Sequence, residues 1–174
     1  MTHGTRNDRT TDERSTTMSD LKVVADPGTH DIVITRSFDA PRELVFAAYT
    51  DPDAVRQWWG QAASDTVVDE LEARAGGRWR FVERDGEGNE WGFHGVYHET
   101  VAPERIVNTF EFEGMPGHVL LETTTFEEQD GRTLMTSLSV FQSVAERDGM
   151  LQSGMETGAA ESYDRLDQYL AKGR

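Results

Sequence analysis

Asp31 to Phe38 reads DIVITRSF, with Ile32, Ile34 and Phe38 on one face and Val33, Thr35 and Ser37 on the other. Alternation of this kind, rich in β-branched residues, predicts a strand. Ala40-Pro41-Arg42-Glu43 then places a proline at a first helical position with a glutamate two residues later, and Leu44, Val45, Ala48 and Tyr49 form a short apolar stripe. Asp51-Pro52 repeats that start signal with Asp51 as N-cap, so a second short helix follows, carrying Val55, Trp58 and Trp59 and closing on Gly60. From Asp65 onward the pattern becomes strands punctuated by turns. Val67 to Ala73, Arg78 to Arg84, Glu90 to Val101, Arg105 to Glu113, His118 to Glu128 and Arg132 to Phe141 are separated by Gly, Pro, Asn and Asp turn signals, which predicts an antiparallel meander. The chain then returns to a helical period, in which Met150 or Leu151, Met155, Gly158 or Ala159, Ser162, Leu166, Tyr169 and Leu170 recur at spacings of three and four. One long helix is expected from about Val144 to Lys172.

Met1 to Ser19 is polar and aperiodic, too poor in apolar surface to offset chain entropy, and the segment onward to His30 contains Pro27-Gly28. We therefore read 1–29 as a disordered tail and lead-in loop, and 30–172 as a single domain.

Composition narrows the partners. The formal net charge is −15, from 32 acidic against 17 basic side chains, so the chain would repel nucleic acid and anionic membrane surfaces before any contact formed. Cysteine is absent, which excludes disulfides, thiolate zinc sites and cysteine nucleophiles. No run approaches the roughly 18 apolar residues of a membrane-spanning helix, and no apolar signal-peptide region opens the chain, so a cytoplasmic location is expected. His94 and His98 have a spacing familiar from helical zinc sites, but along a strand it spans roughly 13 Å, too far for one ion. Gly76-Gly77 precedes a strand and not a helix, so it is no phosphate loop, and no GxSxG elbow occurs. No metal, cofactor or catalytic residue is assigned from these patterns.

The candidate chemistry is aromatic. Trp79 and Phe81 share one strand face, as do Trp91, Phe93 and Tyr97 on the next strand and Phe110 and Phe112 on a third. Adjacent helical positions point about 100° apart, so one ring of the Trp58-Trp59 pair can enter a core while the other faces an opening. Met150 and Met155 are flexible and polarizable, suited to core filling or to an adaptable lining. Glu83, Glu99, Glu111, Glu122 and Glu161 lie on expected elements, and parity alone leaves open which of them point inward.

ITRSFDAPRELVFAAYTDP, the WWG tripeptide, AGGRWRF, GVYHETVAPERIVNTF and DGMLQSGMETGAAESYDRLDQYL occur in that order. Together they resemble the bacterial branch of the activator-of-heat-shock-protein-90-ATPase homologue family, within the START-like (SRPBCC) superfamily. The resemblance covers roughly Asp31 to Leu170. It implies an α+β helix-grip fold: a curved antiparallel sheet of about seven strands around a long C-terminal helix, with two short helices after the first strand. It also implies a cavity between sheet and helix that holds a lipid, polyketide-like or other apolar molecule. On that basis Trp58, Trp59, Trp79, Phe81, Trp91, Phe93, Tyr97, Phe110, Phe112, Met150 and Met155 are the expected ligand-binding residues. Two alternatives remain open: a cyclase, dehydratase or hydrolase using an inward carboxylate, His or Tyr in the same cavity, and a chaperone-ATPase-activating interaction module with a filled core. A homodimer is compatible with either.

Overall fold

The computed structural model describes residues 21–173. Its elements, in chain order, are β1 (Lys22–Val24), β2 (Asp31–Phe38), α1 (Arg42–Thr50), α2 (Pro52–Trp58), β3 (Ser64–Leu71), β4 (Arg78–Asp85), β5 (Glu90–Val101), β6 (Arg105–Phe112), β7 (Val119–Gln129), β8 (Arg132–Val140), α3 (Val144–Gln152) and α4 (Met155–Lys172). All strand pairs are antiparallel, in the order β1-β2-β8-β7-β6-β5-β4-β3. The meander from β3 to β8 ends beside β2, so α1 and α2 carry the chain from β2 to the opposite edge of the sheet. The chain is thus α+β, with the helix-grip arrangement.

Two expectations need correction. The sheet has eight strands and not seven, because the lead-in contains β1, whose Val23 pairs with Ile34 and packs near Ile32 and Ile34. Three residues are too few to display a period, and the Pro27-Gly28 turn that follows masked the signal. The long C-terminal helix is also two helices. Ser153 caps α3, its Oγ donating to the Met150 carbonyl at 2.6 Å, and Gly154 takes φ of +83°, a left-handed conformation that ends one helix and starts the next. The three-four spacing of apolar residues runs across that break nearly in phase, which is why it reads as continuous.

Register fixes the inner face. On β2 the buried positions are Ile32, Ile34, Arg36 and Phe38, and their partners on β8 are Ser139, Ser137, Met135 and Thr133. Continuing across β7, β6, β5 and β4, the same face carries Leu120, Glu122, Thr124 and Phe126; Ile106, Asn108 and Phe110; Phe93, Gly95 and Tyr97; then Trp79 and Phe81. Against this face pack Val45 and Phe46 of α1, Val55 and Trp58 of α2, and Leu166 and Leu170 of α4. Fully burying side chains such as Phe38, Phe126 and Leu166 contributes roughly 1.5–3 kcal/mol each. Arg36 ties α4 to the sheet. It is 4% exposed, pairs with Asp164 at 2.8 Å and with Asp167, and lies 5.6 Å from the Phe38 ring centroid.

Candidate functional site

The core is not continuous. One apolar cluster gathers Phe38, Val45, Phe46, Val55, Trp58, Phe126, Met135, Leu166 and Leu170, and another gathers Ile32, Ile34, Leu120 and Phe141 with Met150, Leu151 and Met155. Each central strand passes from one cluster to the other through a polar position. On β7, Glu122 and Thr124 separate Leu120 from Phe126; on β8, Ser137 and Ser139 separate Met135 from Phe141; on β6, Asn108 separates Ile106 from Phe110. Ser139, Glu122, Asn108 and Tyr97 are direct partners across β8, β7, β6 and β5, so they form one polar row across the inner face. Phe110 and Tyr163 touch both clusters and flank this row.

Glu122 is its chemical centre. Protein atoms surround the carboxyl, while the residue as a whole is only partly buried. Burial raises its pKa to about 7, against the opposing effect of the neighbouring Asn108 and Ser139 side chains. Three phenols share its neighbourhood. Tyr97 on β5, Tyr49 on α1 and Tyr163 on α4 all have raised pKa values, first through burial; the Glu122 carboxylate adds to each, and for Tyr49 the Tyr163 phenol adds more. The Tyr49 and Tyr163 hydroxyls interact electrostatically, but their geometry falls short of a hydrogen bond, and the buried Tyr49 hydroxyl has no partner. A buried hydroxyl left unpaired is expensive, so an unmet hydrogen bond points into the same interior.

The other acidic candidates are engaged elsewhere. Glu83 is buried and its pKa is raised first by burial, but its carboxylate receives the Gln61 N–H at 3.2 Å and anchors the loop after α2. Glu161 accepts from the Ala62 N–H at 3.0 Å, and Glu99 pairs with Arg105 at 3.3 Å. Glu111 lies 3.1 Å from His94, whose other ring nitrogen lies 3.1 Å from Glu113. Arg80 grips Glu113 at 2.7 and 2.9 Å, holding that carboxyl below its usual range. His94, Arg80, Glu111 and Glu113 therefore form a network on the outer face, and His98 is exposed. Among the described residues no group of three or more His, Asp or Glu is arranged to hold a metal ion.

The aromatic candidates fall into three places. Trp58 is 3% exposed, donates its indole N–H to the Ala48 carbonyl at 2.8 Å and sits 4.7 Å from Tyr49 and 6.5 Å from Tyr163 between ring centroids. Trp59 follows the end of α2, stays half-buried and meets Phe81 and Phe93 edge-on, each at 5.2 Å. Trp79, Phe81, Phe93, Phe110 and Phe112 continue this wall with centroid spacings of 4.8 to 5.7 Å. Phe93, Phe110 and Phe112 are only half-buried, whereas Trp79, Phe81 and Tyr97 are buried. Met150 and Met155 close the other end beside Tyr163, and both are half-buried. Trp91 lies 39% exposed, at the edge of the inner face opposite Glu83.

Glu122 appeared in the sequence only as one of five carboxylates of unassigned direction, and Tyr49, Asn108, Ser139 and Tyr163 were not singled out for the site. A signal for Glu122 exists in its parity with Leu120 and Phe126, but Leu121 opposes it on the other face, and Leu121 proves 42% exposed. Nothing local marks Tyr49 and Tyr163, which reach the row from two different helices.

The profile of the activator of Hsp90 ATPase homolog 1-like proteins matches residues 39–171. The chain belongs to this family. Its structure is similar to the solution structure of an Arthrobacter aurescens protein, with 25% identity over 88% of this chain and 93% of that one and a TM-score of 0.81. It is also similar to a Rhodobacter sphaeroides protein (24% identity, 88% and 99% coverage, TM-score 0.80) and to a Silicibacter pomeroyi protein of the same family (21%, 83% and 99%, 0.68). No curated protein matches. Family membership and these neighbours are consistent with ligand binding, and among the described residues no helix is long and apolar enough to cross a membrane.

Proposed function

We propose that the protein binds a hydrophobic or aromatic small molecule between the inner face of the sheet and α4, with Glu122 as its polar anchor. The observation that carries this reading is the polar row itself, a carboxyl enclosed by protein between two apolar clusters, with the unpartnered Tyr49 phenol beside the first cluster. A core built for stability alone gains nothing from such groups, since burying them is unfavourable unless each is paired. Small-molecule sites combine apolar walls with a few convergent polar groups. The half-buried Trp59, Phe93, Phe110, Phe112, Met150 and Met155 supply the walls, and Trp58, Trp79, Phe81 and Tyr97 support them from behind. Trp91 belongs at the rim. Native mass spectrometry of the purified protein, followed by solvent extraction, tests the reading: a discrete apolar molecule in stoichiometric amount is expected. An apo mass together with unchanged tryptophan emission across a panel of lipophiles would overturn it.

One observation favours a second reading, an enzyme acting on that molecule. With a pKa of about 7, Glu122 is divided between acid and base forms at neutral pH, the condition for efficient proton transfer in either direction. Glu122 would take or give the proton, and Tyr49, Tyr97 or Tyr163 would hydrogen-bond a developing oxyanion. Turnover of an extracted ligand that falls in Glu122→Gln by far more than the loss of binding, measured at saturating ligand, is the expected sign of catalysis.

A further inference from the structure

The ligand site proposed above has a definite charge preference. The groups that face Glu122 are neutral on every element packed against it: Asn108 on β6, Ser139 on β8, Tyr97 on β5, Tyr49 on α1 and Tyr163 on α4. The nearest cation of the inner face, Arg36 on β2, is turned to Asp164 and Asp167 of α4. Toward the Met150 end, Arg147 of α3 is directed to the Asp26 carbonyl at 2.6 Å and to Asp148 at 2.9 Å, and His118 to Glu146 at 2.9 Å. Thus this interior offers a carboxylate, hydroxyls and aromatic rings, and the described cations around it are committed to other partners. An organic anion entering there would meet Glu122 without a compensating charge. An ammonium group would meet the cationic partner the carboxylate lacks, in an interior where Phe110 and Tyr163 pack against both apolar clusters.

We propose that the molecule held against Glu122 is an apolar amine bound as its ammonium ion, and that fatty acids and other organic anions are rejected. This inference rests on the ligand-site reading above. It carries a proton balance. The amine enters already protonated, forms a charge-assisted hydrogen bond with the Glu122 carboxylate, and the proton formerly on the Glu122 carboxyl leaves to the buffer.

The test compares three probes of one shape, phenethylamine, phenethyl alcohol and 3-phenylpropionate, by calorimetry and tryptophan emission at about pH 6 and about pH 8, either side of the Glu122 transition. The amine is expected to bind at least about tenfold more tightly than the carboxylate at the higher pH. Its affinity should rise about tenfold between the two pH values, with proton release at the lower one. In Glu122→Gln the amine should lose about tenfold while the alcohol changes by less than about twofold. Tighter binding of the carboxylate or alcohol, or an amine affinity indifferent to Glu122→Gln, would overturn the inference and leave the ligand site standing. Failure of all three probes to bind would overturn it too, whereas the site itself is judged by the mass-spectrometric result.

Discussion

At the residue scale, Glu122 makes the stability of the protein depend on pH with a definite sign. A carboxyl whose pKa is raised from its ordinary value of 4.5 to about 7 binds more protons folded than unfolded in that interval. The stability it permits is therefore complete below about pH 4.5 and falls as pH rises through about 7, by a few kcal/mol at most. Urea unfolding of the wild type and Glu122→Gln across this range should show a decline in the wild type that the variant lacks; parallel profiles would mean that the carboxyl is not buried. Gly95 gives a second residue-level expectation. It faces inward on β5, and a Cβ there would lie 1.8 Å from the Thr109 carbonyl oxygen and 2.6 Å from Trp79 Nε1. The missing side chain lets the Trp79 indole donate to that carbonyl at 3.1 Å. Gly95→Ala should lose that bond and cost about 1–3 kcal/mol, measured by denaturant midpoint.

At the element scale, the two C-terminal helices respond oppositely to one substitution. Gly154 and Gly158 both have open space where a Cβ would go, but only Gly154 has a positive φ, of +83°. Gly154→Ala should therefore destabilise by about 1–2 kcal/mol, and Gly158→Ala, inside α4, should stabilise by roughly 0.5–1 kcal/mol; thermal unfolding of the pair checks the signs. The contrast also shows what could be read along the chain. The strand alternation of DIVITRSF, the Asp51 N-cap, whose carboxylate accepts the Asp53 N–H at 2.8 Å, and the turn signals of the meander are local, and each element they announce is present. The break at Gly154 is local as well, but apolar spacing is blind to φ. The site was legible only as aromatic parity sets. Its polar row exists because strand register aligns Ser139, Glu122, Asn108 and Tyr97, positions that lie on four different strands.

For the whole molecule, the net charge of −15 opposes compaction through self-repulsion. Salt screens it, so unfolding temperature should rise from low ionic strength to about 1 M sodium chloride, and a flat or falling series would show that local ion pairs such as Arg80–Glu113 outweigh the net field. The net surface charge does not select the ligand, because at ordinary ionic strength it is screened over about 10 Å, whereas the interior Glu122 carboxyl acts on a bound group by direct contact. What the fold adds is enclosure: α1, α2 and α4 close over an inner face whose middle is polar, and they bring Tyr49 and Tyr163 to it. The most direct test of that enclosure is a carbon-13 NMR titration of the Glu122 side-chain carboxyl, assigned with Glu122→Gln, in the free protein and with saturating ligand. A midpoint near 7 that moves when the ligand binds is expected. A midpoint in the ordinary carboxylate range, unmoved by ligand, would contradict a buried carboxyl at the centre of the site.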